Sequence, residues 1–138
     1  MKAANILTAM SGRFLLDTNI VIGIFASDPS ILRKLKSNPQ IFLPSIVLGE
    51  LYYGAMLSAQ SKDNVHRIEE FAKKCAALNC DEHTSLYYGK VKSSLKIIGR
   101  PIPENDIWIA SLALQHNVTL VSRDRHFDFV DGLAKEEW

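Results

Sequence analysis

The stretch Arg13-Phe14-Leu15-Leu16-Asp17-Thr18-Asn19 constrains the fold more than any other part of the chain. An apolar run ends abruptly on a carboxylate, then passes through two hydroxyl or amide side chains into Ile20-Val21-Ile22. Nothing in Phe14 to Leu16 alternates, so the run reads as a strand covered on both faces, as in a parallel sheet between helices. Asp17 then stands at the strand's carboxyl end, where parallel α/β sheets place their ligands. A side-chain cap on the following helix is the other role open to it.

The rest of the chain repeats this alternation. Thr18 to Phe25 reads as a helix, and Asp28-Pro29 supplies an N-cap and a first-turn proline for a short basic helix over Ile31 to Ser37. Ile41 to Leu43 is a second strand. Ser45 is expected to cap a helix carrying Leu48, Leu51, Tyr52 and Ala55 on one stripe, with Glu50 off that stripe among apolar neighbours. Asp63 to Lys74 reads as an amphipathic helix and Ala77 to Cys80 as a weak third strand. Asp81 caps a long helix with Tyr87, Val91, Leu95 and Ile98 on one side, closed by Gly99 in the left-handed position. Ile107 to Leu114 is apolar nearly all round and is expected to be a buried helix ending at Asn117. Thr119 to Ser122 is a fourth strand, leading to Arg123 and Asp124. Strands alternating with helices predict an α/β sandwich with a mainly parallel sheet.

With 138 residues, the chain has room for one domain with a proper core. Residues 1–12 read as a loose leader and 13–138 as the folded domain. No stretch approaches the roughly 20 apolar residues of a membrane span. Cys75 and Cys80 lack zinc-site spacing and read as free thiols in a reducing cytoplasm. A net charge of +1 excludes a global basic field, so any nucleic-acid contact must rest on local patches. Arg123 and Arg125 flank the end of the fourth strand. Lys92, Lys96 and Arg100 recur at four-residue steps, as an RNA-binding stripe or as an ordinary solvated helix face.

Four acidic residues stand out by their surroundings. Asp17 and Asp124 follow buried strands, Asp106 opens a buried helix, and Glu50 interrupts an apolar one. Singly, each has a structural explanation: a cap, a helix-dipole contact or an ion pair. Together they would meet at one sheet edge, where strand ends and following helix N-termini lie side by side. Like charges in one pocket disfavour one another unless a cation joins them. Oxygen donors, with Thr18, Asn19 and Ser122 as neutral helpers, suit Mg²⁺ or Mn²⁺ rather than zinc. Such a site typically acts on phosphate esters, with water activated for in-line displacement.

Asp17-Thr18-Asn19, Gly49-Glu50-Leu51, Pro101-Ile102-Pro103 with Asn105-Asp106-Ile107-Trp108-Ile109-Ala110, and Ser122-Arg123-Asp124 with Phe127 resemble the ordered motifs of PIN-domain ribonucleases. The resemblance is in particular to VapC-type toxins of bacterial toxin–antitoxin pairs, and it runs from Phe14 to Phe127. It implies a PIN-like three-layer α/β/α sandwich with a short, mainly parallel sheet. It implies acidic metal ligands at Asp17, Glu50, Asp106 and Asp124, where many relatives carry Asn in place of Asp124, and a small polar helper at Ser122. The activity implied is that of a Mg²⁺-dependent RNA endonuclease inhibited by a small cognate antitoxin. A homodimer or a toxin–antitoxin hetero-oligomer is the assembly to expect. Tyr52, Tyr53, Met56 and Leu57 then belong either to the core or to a surface for such a partner.

Three other readings compete. A haloacid-dehalogenase-like phosphatase also opens on an Asp after its first strand, but needs a second Asp two residues later, where this chain has Asn19. A receiver domain needs an Asp at a later strand end, and Ile41 to Pro44 has none. A non-catalytic RNA- or protein-binding module would have no use for all four acids.

Overall fold

The computed structural model describes residues 12–138, so the expected leader lies, all but Gly12, outside the described residues. Strand β1 (Arg13–Leu16) is the middle of a five-stranded sheet, flanked by β2 (Gln40–Pro44) and β4 (Thr119–Val121), with β3 (Ala76–Leu78) and β5 (Lys135–Glu136) at the edges. Every pairing is parallel, and helices cover both faces, which makes the expected α/β/α sandwich. Phe14, Leu15 and Leu16 are all buried, as a strand with no polar face requires.

The helices follow from local chemistry. Helix α1 (Thr18–Phe25) starts at Asp17, whose carboxylate accepts from the Thr18 amide, and buries Ile20 and Val21. Helix α2 (Pro29–Leu35) is capped by Asp28 and lays Ile31 over Gly23. A Cβ added at Gly23 would come within 2.3 Å of Ile31 Cδ1, so this close approach of α1 and α2 uses the missing side chain. Helix α3 (Ser45–Leu57) buries Val47, Leu51 and Ala55, with Leu48 and Tyr52 packed at the margin of that stripe. The expected Ser45 cap is corrected: Pro44 occupies the cap position and no side chain caps this helix, because Ser45 is already helical and exposed. Helix α4 (Ser61–Ala72) starts and ends two residues before the expected span.

Asp81 opens α5 (Glu82–Ile97) with a capping box in which its side chain accepts from the Thr84 amide and Thr84 Oγ1 accepts from the Asp81 amide. Thr84 is fully buried and also donates to Gln115 of α6 (Glu104–His116). The two helices are further joined by Tyr88 stacked on Trp108, with ring centroids 4.2 Å apart. The expected stripe on α5 holds at Val91 and Leu95 but not at Ile98, which lies past the last turn and is 55% exposed. Helix α6 is the buried helix expected. Its one fully buried hydroxyl, Ser111, is satisfied by donating to the Ile107 carbonyl one turn back. Asn117 ends it in the left-handed conformation, φ 52°, and Gly99 does the same after α5, φ 67°.

Two elements are additions to the sequence reading. A 3₁₀ turn over Arg125–Phe129 sinks Phe127 into the core, and β5 extends the sheet beyond β4. Trp138 then closes edge-on against Phe14, centroids 5.0 Å apart. No helix among the described residues is long and apolar enough to cross a membrane.

The central strands carry the stability. Leu120→Ala, at a fully buried position of β4, is expected to lower the unfolding free energy by about 2–5 kcal/mol. Tyr53→Ala, at a position 69% exposed, should stay within about 0.5 kcal/mol of wild type. Urea unfolding of the two variants checks both.

Candidate active site

The parallel pairing of β1 and β4 sets the geometry. Leu16 is opposite Val121, and the ladder continues one step further, with the Asp17 amide donating to the Val121 carbonyl at 3.0 Å. Asp17 and Ser122 therefore leave the sheet side by side. Ser122 Oγ donates to Asp17 Oδ2 at 2.7 Å and accepts from the Asp124 amide at 3.0 Å. That second bond folds the chain back after β4 and brings Asp124 over the strand end. The Asn19 amide nitrogen lies 3.4 Å from Asp17 Oδ2 and 3.3 Å from Asp124 Oδ2, bridging the two carboxylates.

The other two acids arrive on helices. Glu50, in the second turn of α3, accepts from Thr18 Oγ1 at 3.1 Å. Asp106, in the first turn of α6, completes the ring. A cavity of about 560 Å³ is lined by Asp17, Thr18, Asn19, Glu50, Asp106 and Asp124, together with Ile22 and Pro103 to Asn105. The four acids singled out in the sequence thus share one cavity, with two of the neutral helpers in its wall and Ser122 behind it.

Their electrostatics match their crowding. Asp17 is only 3% exposed, and burial raises its carboxyl above the ordinary range, against the bonds from Ser122 and Thr18. Glu50 is raised by burial, and further by Asp17 and Asp124. Asp106 is pushed up to about 6, first by burial and then by the Asp17 charge, while His126 pulls the other way.

His126 and Glu104 are the residues that sequence reading missed. His126 follows Asp124 by two positions in the 3₁₀ turn, and its Nε2 lies 2.8 Å from Asp106 Oδ2. Asp106, Asp124 and His126 offer three donor atoms within 4.8 Å of one another. Glu104, on the cavity rim, accepts from Tyr88 and pairs with Lys92 at 2.5 Å, which lowers its carboxyl pKa. A motif reading finds neither, because both partnerships depend on how α5, α6 and the turn pack.

The basic residues are distributed differently from the acids. The Arg123 side chain turns away, donating to the Trp138 carbonyl at 2.9 Å and to Asp28 at 2.9 Å. Arg125 is exposed at the start of the turn. On α5, Lys92 is engaged with Glu104 and Lys96 is exposed, while the Arg100 guanidinium sits 4.5 Å from the Phe129 ring centroid. Burial pushes the Cys75 thiol up to about 11, and Cys80 is raised too, so neither is poised to react.

Residues 14–133 match the PIN domain family. The chain is 36% identical over 129 residues to ribonuclease VapC2 of Haemophilus influenzae, covering 91% of this chain and 98% of that protein. It is 32% identical over 129 residues to the tRNA(fMet)-specific endonuclease VapC of Shigella flexneri, covering 91% and 98%. The crystal structure of VapBC2 from Rickettsia felis, bound to a DNA fragment from their promoter, holds a chain of the same fold. It matches with a TM-score of 0.82 at 32% identity, over 91% of this chain and 98% of that one.

A carboxyl whose pKa is raised on folding stabilises the fold fully below its unfolded value, and the contribution is lost as pH rises through the folded value. For Asp106 that window runs from 3.8 to about 6. Metal-free wild type should therefore lose stability relative to Asp106→Asn between about pH 4 and pH 7. At pH 7 the variant should equal wild type or exceed it by on the order of 1 kcal/mol. Urea unfolding across that range checks the sign, and a variant that falls steadily behind as pH rises would show that Asp106 is held by attraction instead.

Proposed function

The chain belongs to the PIN-domain family, among the VapC ribonucleases, and from that premise we propose that it is a divalent-metal-dependent endoribonuclease, the toxin of a toxin–antitoxin pair. The observation that carries this reading is the meeting of Asp17, Glu50, Asp106 and Asp124 in one cavity at the carboxyl edge of the sheet. Three of these carboxyls are raised above their ordinary values, which is the strain expected of a cluster suited to holding a cation. His126 Nε2, buried beside Asp106 without a hydrogen-bond partner, is a further donor left open. The donor set therefore fits a divalent ion, Mg²⁺ or its substitute Mn²⁺.

Asp17, Glu50, Asp106 and Asp124 would hold the ion. When bound, it supplies a Lewis acid for the phosphoryl oxygens and lowers the pKa of water at the site. The chain's own groups fix the carboxylates in place. Ser122 and the Thr18 amide lock Asp17, Thr18 Oγ1 orients Glu50, and Asn19 spans Asp17 and Asp124. Lys92 and Tyr88 mask the charge of Glu104 at the rim, which reduces the repulsion an incoming phosphate meets. Of the five basic residues singled out in the sequence, Arg125 and Lys96 are exposed and make no ion pair, and these two are proposed to meet the RNA backbone. Transfer RNA is the first substrate to test, since the Shigella flexneri relative is named for tRNA(fMet).

A small antitoxin is the partner proposed, and two features support it. An apolar cavity of about 350 Å³ between α1, α3 and α4 shares Thr18, Ile22 and Glu50 with the acidic one. Tyr53, Met56 and Leu57 are 69%, 66% and 71% exposed at the end of α3, so core packing does not account for them. Such a pair would work in the cytoplasm, and the residues from 13 onward would act as a single nuclease domain.

Purified protein is expected to cleave RNA with Mg²⁺ or Mn²⁺ and to stop on adding EDTA. Asp17→Asn should lower kcat/KM by at least about a hundredfold, the scale on which removal of one electrostatic group at a reacting centre acts. Products should carry 5′-phosphate and 3′-hydroxyl ends. Ends with 2′,3′-cyclic phosphate, formed without metal, would contradict the reading.

A further inference from the structure

We infer that His126 supplies a nitrogen ligand to the metal ion, making this a mixed carboxylate–imidazole site that prefers Mn²⁺ to Mg²⁺. The inference deepens the metal-dependent reading above and rests on it. His126 is placed with little freedom. The neighbouring Phe127 is 1% exposed, anchoring the 3₁₀ turn, and the imidazole packs against its ring with centroids 4.7 Å apart. This directs Nε2 inward, to 2.8 Å from Asp106 Oδ2.

That contact is not a hydrogen bond. Nε2 is buried and has no hydrogen-bond partner, although a carboxylate oxygen stands within reach. A simple His–Asp ion pair would align the N–H with the oxygen, as charge-assisted bonds do. Two donor atoms at this separation but out of line suit a shared third atom better. Neighbouring ligands of an octahedral ion with bonds near 2.1 Å are about 3.0 Å apart. Asp124, two residues before His126, adds a third donor atom within 4.8 Å of the other two. A buried polar atom without a partner calls for an explanation, and an ion at the site is one such explanation.

The consequence is selectivity. Mg²⁺ is held by oxygen ligands and retains water, whereas imidazole suits transition ions. A nitrogen donor adjoining Asp106 and Asp124 would favour Mn²⁺ without excluding Mg²⁺. Asp17 and Glu50 are not part of that three-atom group.

The test needs no RNA. Wild-type protein loaded with Mn²⁺ should show the spin-echo modulation of a directly bound imidazole ¹⁴N, and His126→Gln should lack it. Calorimetric titrations with MnCl₂ and MgCl₂ give the second readout. His126→Gln should lose Mn²⁺ affinity by at least about tenfold, the lower end of what losing even an outer partner of a metal ligand costs. Its Mg²⁺ affinity should change by less than about threefold, since nitrogen contributes little to that ion. His126→Asn in the same titrations, with each variant's fold checked by circular dichroism, guards against a disturbed turn. The wild-type spectrum decides the question even if both variants unfold. Absence of the nitrogen coupling in wild type, or equal losses for the two ions, overturns the inference while leaving metal-dependent cleavage standing. A wild type that binds neither ion overturns both.

Discussion

Asp17 is a carboxylate buried at the end of a buried strand, and much of the surrounding structure serves to hold it there. Burial disfavours its charge, Ser122 and the Thr18 amide partly offset that, and Asn19 ties it to Asp124. The register of β1 against β4 places Ser122 beside it, so the sheet itself sets the geometry of the site. Asp17 also caps α1, so the capping and ligand-edge roles open to it in the sequence are compatible. One residue joins the start of a helix, the edge of a sheet and the floor of a cavity.

The repulsion among the acids is uneven, and that has chemical meaning. Asp106 is pushed up to about 6, because burial acts on it together with three other carboxylates. Glu104, two residues earlier on the same helix, goes the other way because Lys92 and Tyr88 bind it. The mouth thus separates acids left unneutralised inside from one neutralised at the rim. A cation inside would relieve the first set, and a polyanionic substrate would approach past the second.

Much of this was legible in the sequence wherever a residue's role is set by its neighbours along the chain. The run Phe14 to Leu16, the caps at Asp28 and Asp81, and the helix stops at Gly99 and Asn117 are local chemistry, and the structure has them where the sequence places them. The convergence of the four acids was legible too, because parallel strands place their ends on one edge. Features that depend on packing were not. Strand β5 is two charged residues, Lys135 and Glu136, with no apolar pattern, and exists only because β4 offers it an edge. Arg123 sits beside Asp124 in the chain yet spends its guanidinium on Asp28 and Trp138. His126 became visible only once Phe127 had buried the turn.

The central claim is that the four acids form a cation site and are not a structural cluster. The most direct measurement is a thermal melt of wild type and Asp106→Asn at neutral pH, each with and without excess Mg²⁺. A ligand that binds only the folded state stabilises it by about 2.7 kcal/mol at a hundred times its dissociation constant. The account predicts a clear rise in Tm for wild type and a much smaller one for the variant. A variant that melts well below wild type without metal, and then responds to Mg²⁺ as strongly as wild type does, would contradict it.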